Sequence, residues 1–243
     1  MKLLRAAAGV GFAVAGLAVA GPGGAVAAAP SCANPLRATA ADTSAPLTER
    51  FLDAIQRQGV TTVARYYDYP DETLPGKTLT QAERDMVAAR GLSLVVVFQH
   101  HNDQLASFTT ERGAGDAARA LELAVAMHQP AGSAIYFGVD GPWRSDADLD
   151  RITAYFRAVD TAMAGSGYRV GVYGSGLTCQ LMAATGQASL CWLANPTSWP
   201  GHDAAVAAGD WAIRQRGQVS CGERFVDFDQ LNPAQAYAGQ FKP

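Results

Sequence analysis
From Val60 onward, short apolar runs rich in β-branched and aromatic residues alternate with longer stretches whose apolar residues recur at helical spacing. A chain punctuated in this way builds parallel strands joined by crossover helices. Strands are expected at Val60–Tyr67, Leu92–Phe98, Ala134–Val139, Tyr168–Tyr173 and Leu190–Ala194, preceded by a short apolar stretch, Leu36–Ala41, that ends at Asp42. Leu92–Phe98 is apolar throughout, as a strand covered on both faces must be. Asp210–Arg214 and Phe225–Phe228 complete a set of eight. Between them the spacing predicts helices from Thr48 to Gly59, from Thr80 to Gly91, and over Gly115–Met127, Asp146–Ala164, Leu177–Ala184 and Ala204–Ala208, with nothing helical between the last two strands.

Eight strands, most followed by a helix, imply an α/β fold of the (β/α)8 TIM-barrel type, compact and with short or missing helices in the last third. An open doubly wound sheet is the alternative, but it usually needs fewer strands. No Gly-x-Gly-x-x-Gly opens a helix here, and Gly171-x-x-Gly174-x-Gly176 has the wrong spacing. No linker-like composition divides residues 30–243, which are read as one barrel domain.

The first 29 residues have another character. Lys2 and Arg5 precede an apolar run from Ala6 to about Ala20, and Ala25-Val26-Ala27 follows a Gly/Pro break. This order is that of a secretory signal peptide cleaved near residues 27–29. The run is shorter than the roughly 20 residues of a spanning helix, so no stable membrane insertion is expected after cleavage. A net charge of −3 with no Lys/Arg run argues against nucleic acid as a partner. In an oxidising compartment the four cysteines imply two disulfides, with three possible connectivities. Cys179–Cys191, closing a short loop, and Cys32–Cys221, tying the amino-terminal lead to the last strand region, are the favoured pair. A zinc site is disfavoured because no close Cys-x-x-Cys occurs.

In a barrel, the carboxyl ends of the strands converge on one mouth. Those ends carry Asp42, Tyr67 with Asp68, Gln99 with His100, Asp140, Tyr173, Asn195, Gln215, and Asp227 with Asp229. For any single Asp, a turn or helix cap is the blander reading; the case rests on the set. Two carboxyl groups facing a glycosidic bond provide an acid for the leaving oxygen and a carboxylate for the sugar cation. Trp143, Trp192, Trp211, Tyr67 and Tyr173 could stack on sugar faces, although core packing is the ordinary role of such rings. Trp143 stands apart, in the polar loop after the fourth strand. Arg65, inside the second strand, reads as an interior charge whose partner would be Asp42 or Asp229. An alternative chemistry would use His100, His101, Asn102 and Asp103 with Asp42 and Asp140 as a metal-dependent phosphodiesterase-type site. Neighbouring residues of an extended strand face opposite ways, so only one of the two histidines could reach the mouth. Gly174-Ser175-Gly176 lacks the spacing of a nucleophile elbow. No cofactor or resident metal is expected.

The segments "ADTSAP", "ARYYDYP", "AIYFGVD", "RVGVYGSG", "CWLAN", "DWAIRQ" and "VDFDQ", in this order, resemble the secreted bacterial glycoside-hydrolase-like domain of unknown function, itself similar to the family 25 lysozymes. The resemblance runs from about Asp42 to Asn232. It implies a barrel acting on or binding cell-wall or other polysaccharide, and a secreted or wall-associated protein. Carried over residue by residue, it assigns catalytic roles to Asp42 and Asp140 and to an eighth-strand carboxylate that falls on Asp227 or Asp229, of which Asp229 is taken as catalytic. It also matches Tyr173 and Trp192 to family aromatics; position at or near the strand ends puts Arg65, Tyr67, Gln99, His100, Trp143, Asn195, Gln215 and Asp227 with them in the substrate site. One departure matters: the lysozymes carry Asp-x-Glu after the fourth strand, with that Glu as proposed proton donor, and Pro142 occupies its position here. Two readings follow: a glycosidase in which Asp140 is the acid and Asp42 or Asp229 its partner, or a carbohydrate-binding barrel that has lost efficient catalysis.

Overall fold
The computed structural model describes residues 32–71, 74–222, 224–235 and 237–243, so the expected export segment lies outside the described residues. Eight strands close into one barrel in sequential order: β1 Ala40–Asp42, β2 Thr62–Tyr67, β3 Ser93–Phe98, β4 Ala134–Gly138, β5 Arg169–Gly174, β6 Leu190–Leu193, β7 Ile213–Cys221 and β8 Arg224–Leu231. The helices are α1 Glu49–Gln56, α2 Gln81–Ala89, α3 Thr110–Ala126, α4 Asp146–Met163, α5 Gly176–Ala184 and α6 His202–Ala208, one after each of the first six strands.

Five of these helices start on a hydroxyl cap. Thr48, Thr80, Thr109, Ser145 and Ser175 each accept the backbone N–H three residues on. The cap at Thr109 starts α3 five residues before the position expected from periodicity, because Gly113 and Gly115 mask its first turn as loop. Gly113 is there for packing: a Cβ would lie 2.4 Å from the Tyr155 carbonyl of α4.

Two cores follow from strand alternation. Odd-numbered residues of β2 (Val63, Tyr67) and even-numbered residues of β3 (Leu94, Val96, Phe98) face the helices and join the larger cluster with Phe51, Val87, Phe156 and Met182. The opposite parity (Ala64, Val95, Val97, Tyr136, Trp192, Ile213) fills the barrel. Tyr136 crosses that interior above Gly171, where a Cβ would meet its ring at 2.5 Å, and its hydroxyl donates to the Ala238 carbonyl at 2.7 Å. The carboxyl-terminal tail thereby closes the floor, aided by Phe241 pairing with Leu94.

The last two strands depart from expectation. β7 begins at Ile213 rather than Asp210 and runs to Cys221, forming a hairpin with β8. Its outer part is polar and half-exposed, so no apolar signal marks it. β8 is antiparallel to both neighbours, β7 and β1, because a hairpin without a crossover helix must reverse the chain. Both favoured disulfides are present: Cys32–Cys221 anchors the amino-terminal lead to the end of β7, and Cys179–Cys191 joins α5 to β6. Among the described residues, no helix is long and apolar enough to cross a membrane.

Candidate functional site
The reversal of β8 sets the depth of its carboxylates. Asp227 pairs with Asp42 and so lies level with the mouth, whereas Asp229 pairs with Ala40, deeper in the barrel. At the mouth, Asp42, Tyr66, Val97, Gln99, Asp140, Tyr173, Trp192, Gln215 and Asp227 line a cavity of about 220 Å³. A larger groove, about 520 Å³, lies outside the barrel between α5 and α6; small side chains dominate its wall and Asp210 is its one acid. The carboxyl and phenol groups are concentrated in the smaller cavity.

Asp42 accepts from the Tyr66 hydroxyl at 2.9 Å and from Gln215 Nε2 at 3.1 Å. Gln215 is itself aligned by the Tyr173 hydroxyl and the Asn195 N–H, both donating to its Oε1. Burial and the neighbouring Asp42 push the Tyr66 phenol well above its ordinary range, so it remains a donor. Burial first, then the charge of Asp227, push Asp42 up to about 7, against the pull of these hydrogen bonds. Asp229 is fully buried beneath it, and Trp192 Nε1 donates to Asp229 Oδ1 at 3.0 Å. Burial and the charge of Asp42 raise Asp229 well above the carboxylate range. Its Oδ2 lacks a conventional donor, which a proton held by Asp229 and shared with Asp42 resolves. Asp140 is less buried: Gln99 donates to its Oδ2 at 3.1 Å, and burial, followed by Asp103 and Asp227, raises it.

A pH dependence follows. The unfolded carboxyl ionises near 3.8 and folded Asp42 near 7, so between these values the folded state holds the extra proton. Stability therefore falls as pH rises from about 4 to 7, and the raised Asp229 adds to the fall in the same direction. Asn at 229 would keep a donor to Asp42 and an acceptor for Trp192 without ionising. Asp229→Asn is expected to be more stable than the parent at pH 8 and to flatten the slope. Urea denaturation at pH 5 and pH 8 checks this; an unchanged slope would contradict the shared proton.

The structure thus brings together Asp42, Asp140, Gln99, Tyr173, Trp192, Gln215 and Asp227. It corrects several other expectations. Asp229 lies below the cavity and reaches it through Asp42. Tyr67 faces the helices, its hydroxyl donating to Gln129 Oε1 at 3.0 Å; Tyr66, one residue earlier, has the inward parity. Arg65 shares the outward parity and pairs with Glu83 at 2.9 Å, not with Asp42 or Asp229. Trp143 folds back over Gly141 against the outer core, and Trp211 is buried in that core too. Trp192 forms the floor, 1% exposed, and leaves little face for a sugar. Asn195 contributes its backbone N–H. His100 turns from the cavity to Asp68, with Nδ1 2.7 Å from Asp68 Oδ1, so it joins neither Asp42 nor Asp140 in a metal set. Tyr66 and Val97 are the lining residues that the sequence reading missed; counting parity from Ala64 and Val95 identifies both.

Residues 53–238 match the family model of the Rv2525c-like, glycoside hydrolase-like domain. Comparison with curated proteins gives no match. Among solved structures, the chain is similar to the Tat-secreted protein Rv2525c of Mycobacterium tuberculosis in complex with HEPES, with 22% identity, TM-score 0.68, and coverage of 84% of this chain and 98% of that one. An uncharacterized B. stearothermophilus protein gives 14% identity and TM-score 0.62, covering 83% of this chain and 99% of that one. The modular autolysin LytC of Streptococcus pneumoniae gives 14% and 0.52, covering 78% of this chain and 45% of that one. At these identities the likeness is one of fold.

Proposed function
The chain belongs to the Rv2525c-like, glycoside hydrolase-like family, and from that premise we propose that its barrel mouth binds cell-wall or related polysaccharide outside the cell and hydrolyses it through Asp140 and Asp42. One observation carries this reading: three carboxyl groups and two tyrosines line one small cavity, with a fourth carboxyl group beneath it. Among the described residues Asp140 has a single side-chain donor, Gln99 on Oδ2, and it has the more open setting; it is the proton donor to the glycosidic oxygen. Asp42, held from both oxygens, is the carboxylate that stabilises the sugar cation as the C–O bond breaks. Water then adds at the cationic carbon, and its proton restores the acid. Tyr66 and Tyr173 border the sugar. Similarity to an autolysin, a Tat-secreted relative and two disulfides support the substrate class and an exported protein.

A specific observation favours a second reading, glycan binding without turnover. Pro142 stands where the related lysozymes carry their acid, and the backbone at Gly141 is packed against Trp143, leaving no carboxylate at that position. Incubating the protein with peptidoglycan and with chitooligosaccharides, and following products by mass spectrometry, separates the two. Hydrolysis is expected to need a proton on Asp140 and a charge on Asp42. Asp42 ionises only near 7, so the rate should rise as pH approaches about 7, and the fall at higher pH should follow the raised Asp140 carboxyl. Retained binding with no products at any pH would leave the second reading.

A further inference from the structure
We propose that Asp71, His100 and His101 form a Zn2+ site on the rim of the barrel, outside the carboxylate cavity and independent of the glycan reading. One ligand atom from each of the three residues lies within 4.8 Å of the others. Zinc bonds of 2.0–2.2 Å in tetrahedral geometry set donors about 3.3 Å apart, so small side-chain rotations of the exposed His101 and half-exposed Asp71 complete the site.

Adjacent histidines would diverge on a strand, but β3 ends at Phe98 and the backbone leaves it. His101 adopts φ +53, a left-handed conformation uncommon outside glycine, and this folds its ring back to 4.3 Å from that of His100. The turn is firmly held. The His100 N–H donates to Asn102 Oδ1 at 2.6 Å, Asn102 is buried and donates to the Gly138 carbonyl, and Arg112 donates to the His100 carbonyl at 2.7 Å.

A second observation points to a metal. His100 Nδ1 meets Oδ1 of Asp68 at 2.7 Å, and that carboxylate is buried and held by the Tyr69 N–H and by Lys77. A buried carboxylate that takes one imidazole N–H presents the other ring nitrogen as a lone pair, the outer support found behind metal-bound histidines. Two imidazoles and one carboxylate select Zn2+ over Ca2+ or Mg2+ and leave a fourth position open to water. The bound ion would clasp the loop after β2 to the loop after β3, one residue beyond Gln99.

Calorimetric titration of the full chain, after EDTA treatment and dialysis, with ZnCl2 and separately with CaCl2 tests this. One Zn2+ per chain is expected, with no comparable Ca2+ binding. His101→Ala, at an exposed side chain, should weaken Zn2+ binding at least 100-fold; Asp71→Asn about tenfold; Asp68→Asn, acting through His100, 10–100-fold. Asp42→Asn should leave it unchanged. Zn2+ should raise the thermal midpoint of the parent chain and not that of His101→Ala. No saturable Zn2+ binding, equal binding by His101→Ala, or loss of binding on Asp42→Asn would overturn the site.

Discussion

Replacing Glu83 by Ala will lower the unfolding free energy by about 3–5 kcal/mol, the cost of leaving a buried charge without its partner. Arg65 is fully buried between β2 and α2. Its Nε and Nη2 donate to Glu83 Oε1 at 3.1 and 2.9 Å, while Nη1 and Nη2 donate to the carbonyls of Thr43 and Gly76. Glu83 also accepts the Leu47 N–H at 2.7 Å and, through Oε2, the Thr80 N–H that completes the capping box of α2. One carboxylate thus joins the loop after β1, the strand β2 and the start of α2. Truncation removes all of these bonds, whereas Arg65→Met with Glu83→Leu removes both charges and should recover most of the loss. Chemical denaturation of the single and double variants checks both figures. A loss below about 1 kcal/mol for Glu83→Ala would mean that water reaches the pair.

The second large effect concerns chemistry. Asp140→Asn and Asp42→Asn are each expected to reduce kcat by about 10²–10⁴-fold, the usual contribution of a positioned acid or base. The two should not add, because both act on one transition state. Asp229→Asn is expected to do less, shifting the pH profile rather than abolishing turnover, since Asp229 lies below the cavity and acts through Asp42. Initial rates on a chitooligosaccharide across pH 4–9 distinguish these outcomes. Equal losses at all three positions would mean that the carboxyls work as one inseparable cluster.

Much of this architecture was legible in the sequence because barrel strands covered on both faces are continuous apolar runs, and five of the six helices between them open on Thr or Ser caps. The barrel class and most of the mouth residues followed from that punctuation and from the family resemblance, and the two disulfides from an even number of cysteines behind an export segment. Three physical features were not legible. The outer half of β7 has no buried face and reads as loop, so the hairpin and the reversal of β8 were hidden, and with them the depth of Asp229. Strand parity was misjudged in β2: Tyr66 and Tyr67 are chemically equivalent in the sequence, and only the inward Ala64 separates them. Arg65 was given an interior partner for the same reason. The pairing of His100 with His101 was obscured by an argument valid for strands, applied where the chain had already turned.

The most direct test of the glycan site is a crystal of Asp140→Asn soaked with chitooligosaccharide, in which turnover is slowed and the sugar retained. The expected density places an intact glycan across the mouth, bordered by Tyr66 and Tyr173, with a glycosidic oxygen beside residue 140 and the anomeric carbon facing Asp42. A saccharide bound elsewhere, or a mouth left without sugar at saturating chitooligosaccharide, would contradict the assignment.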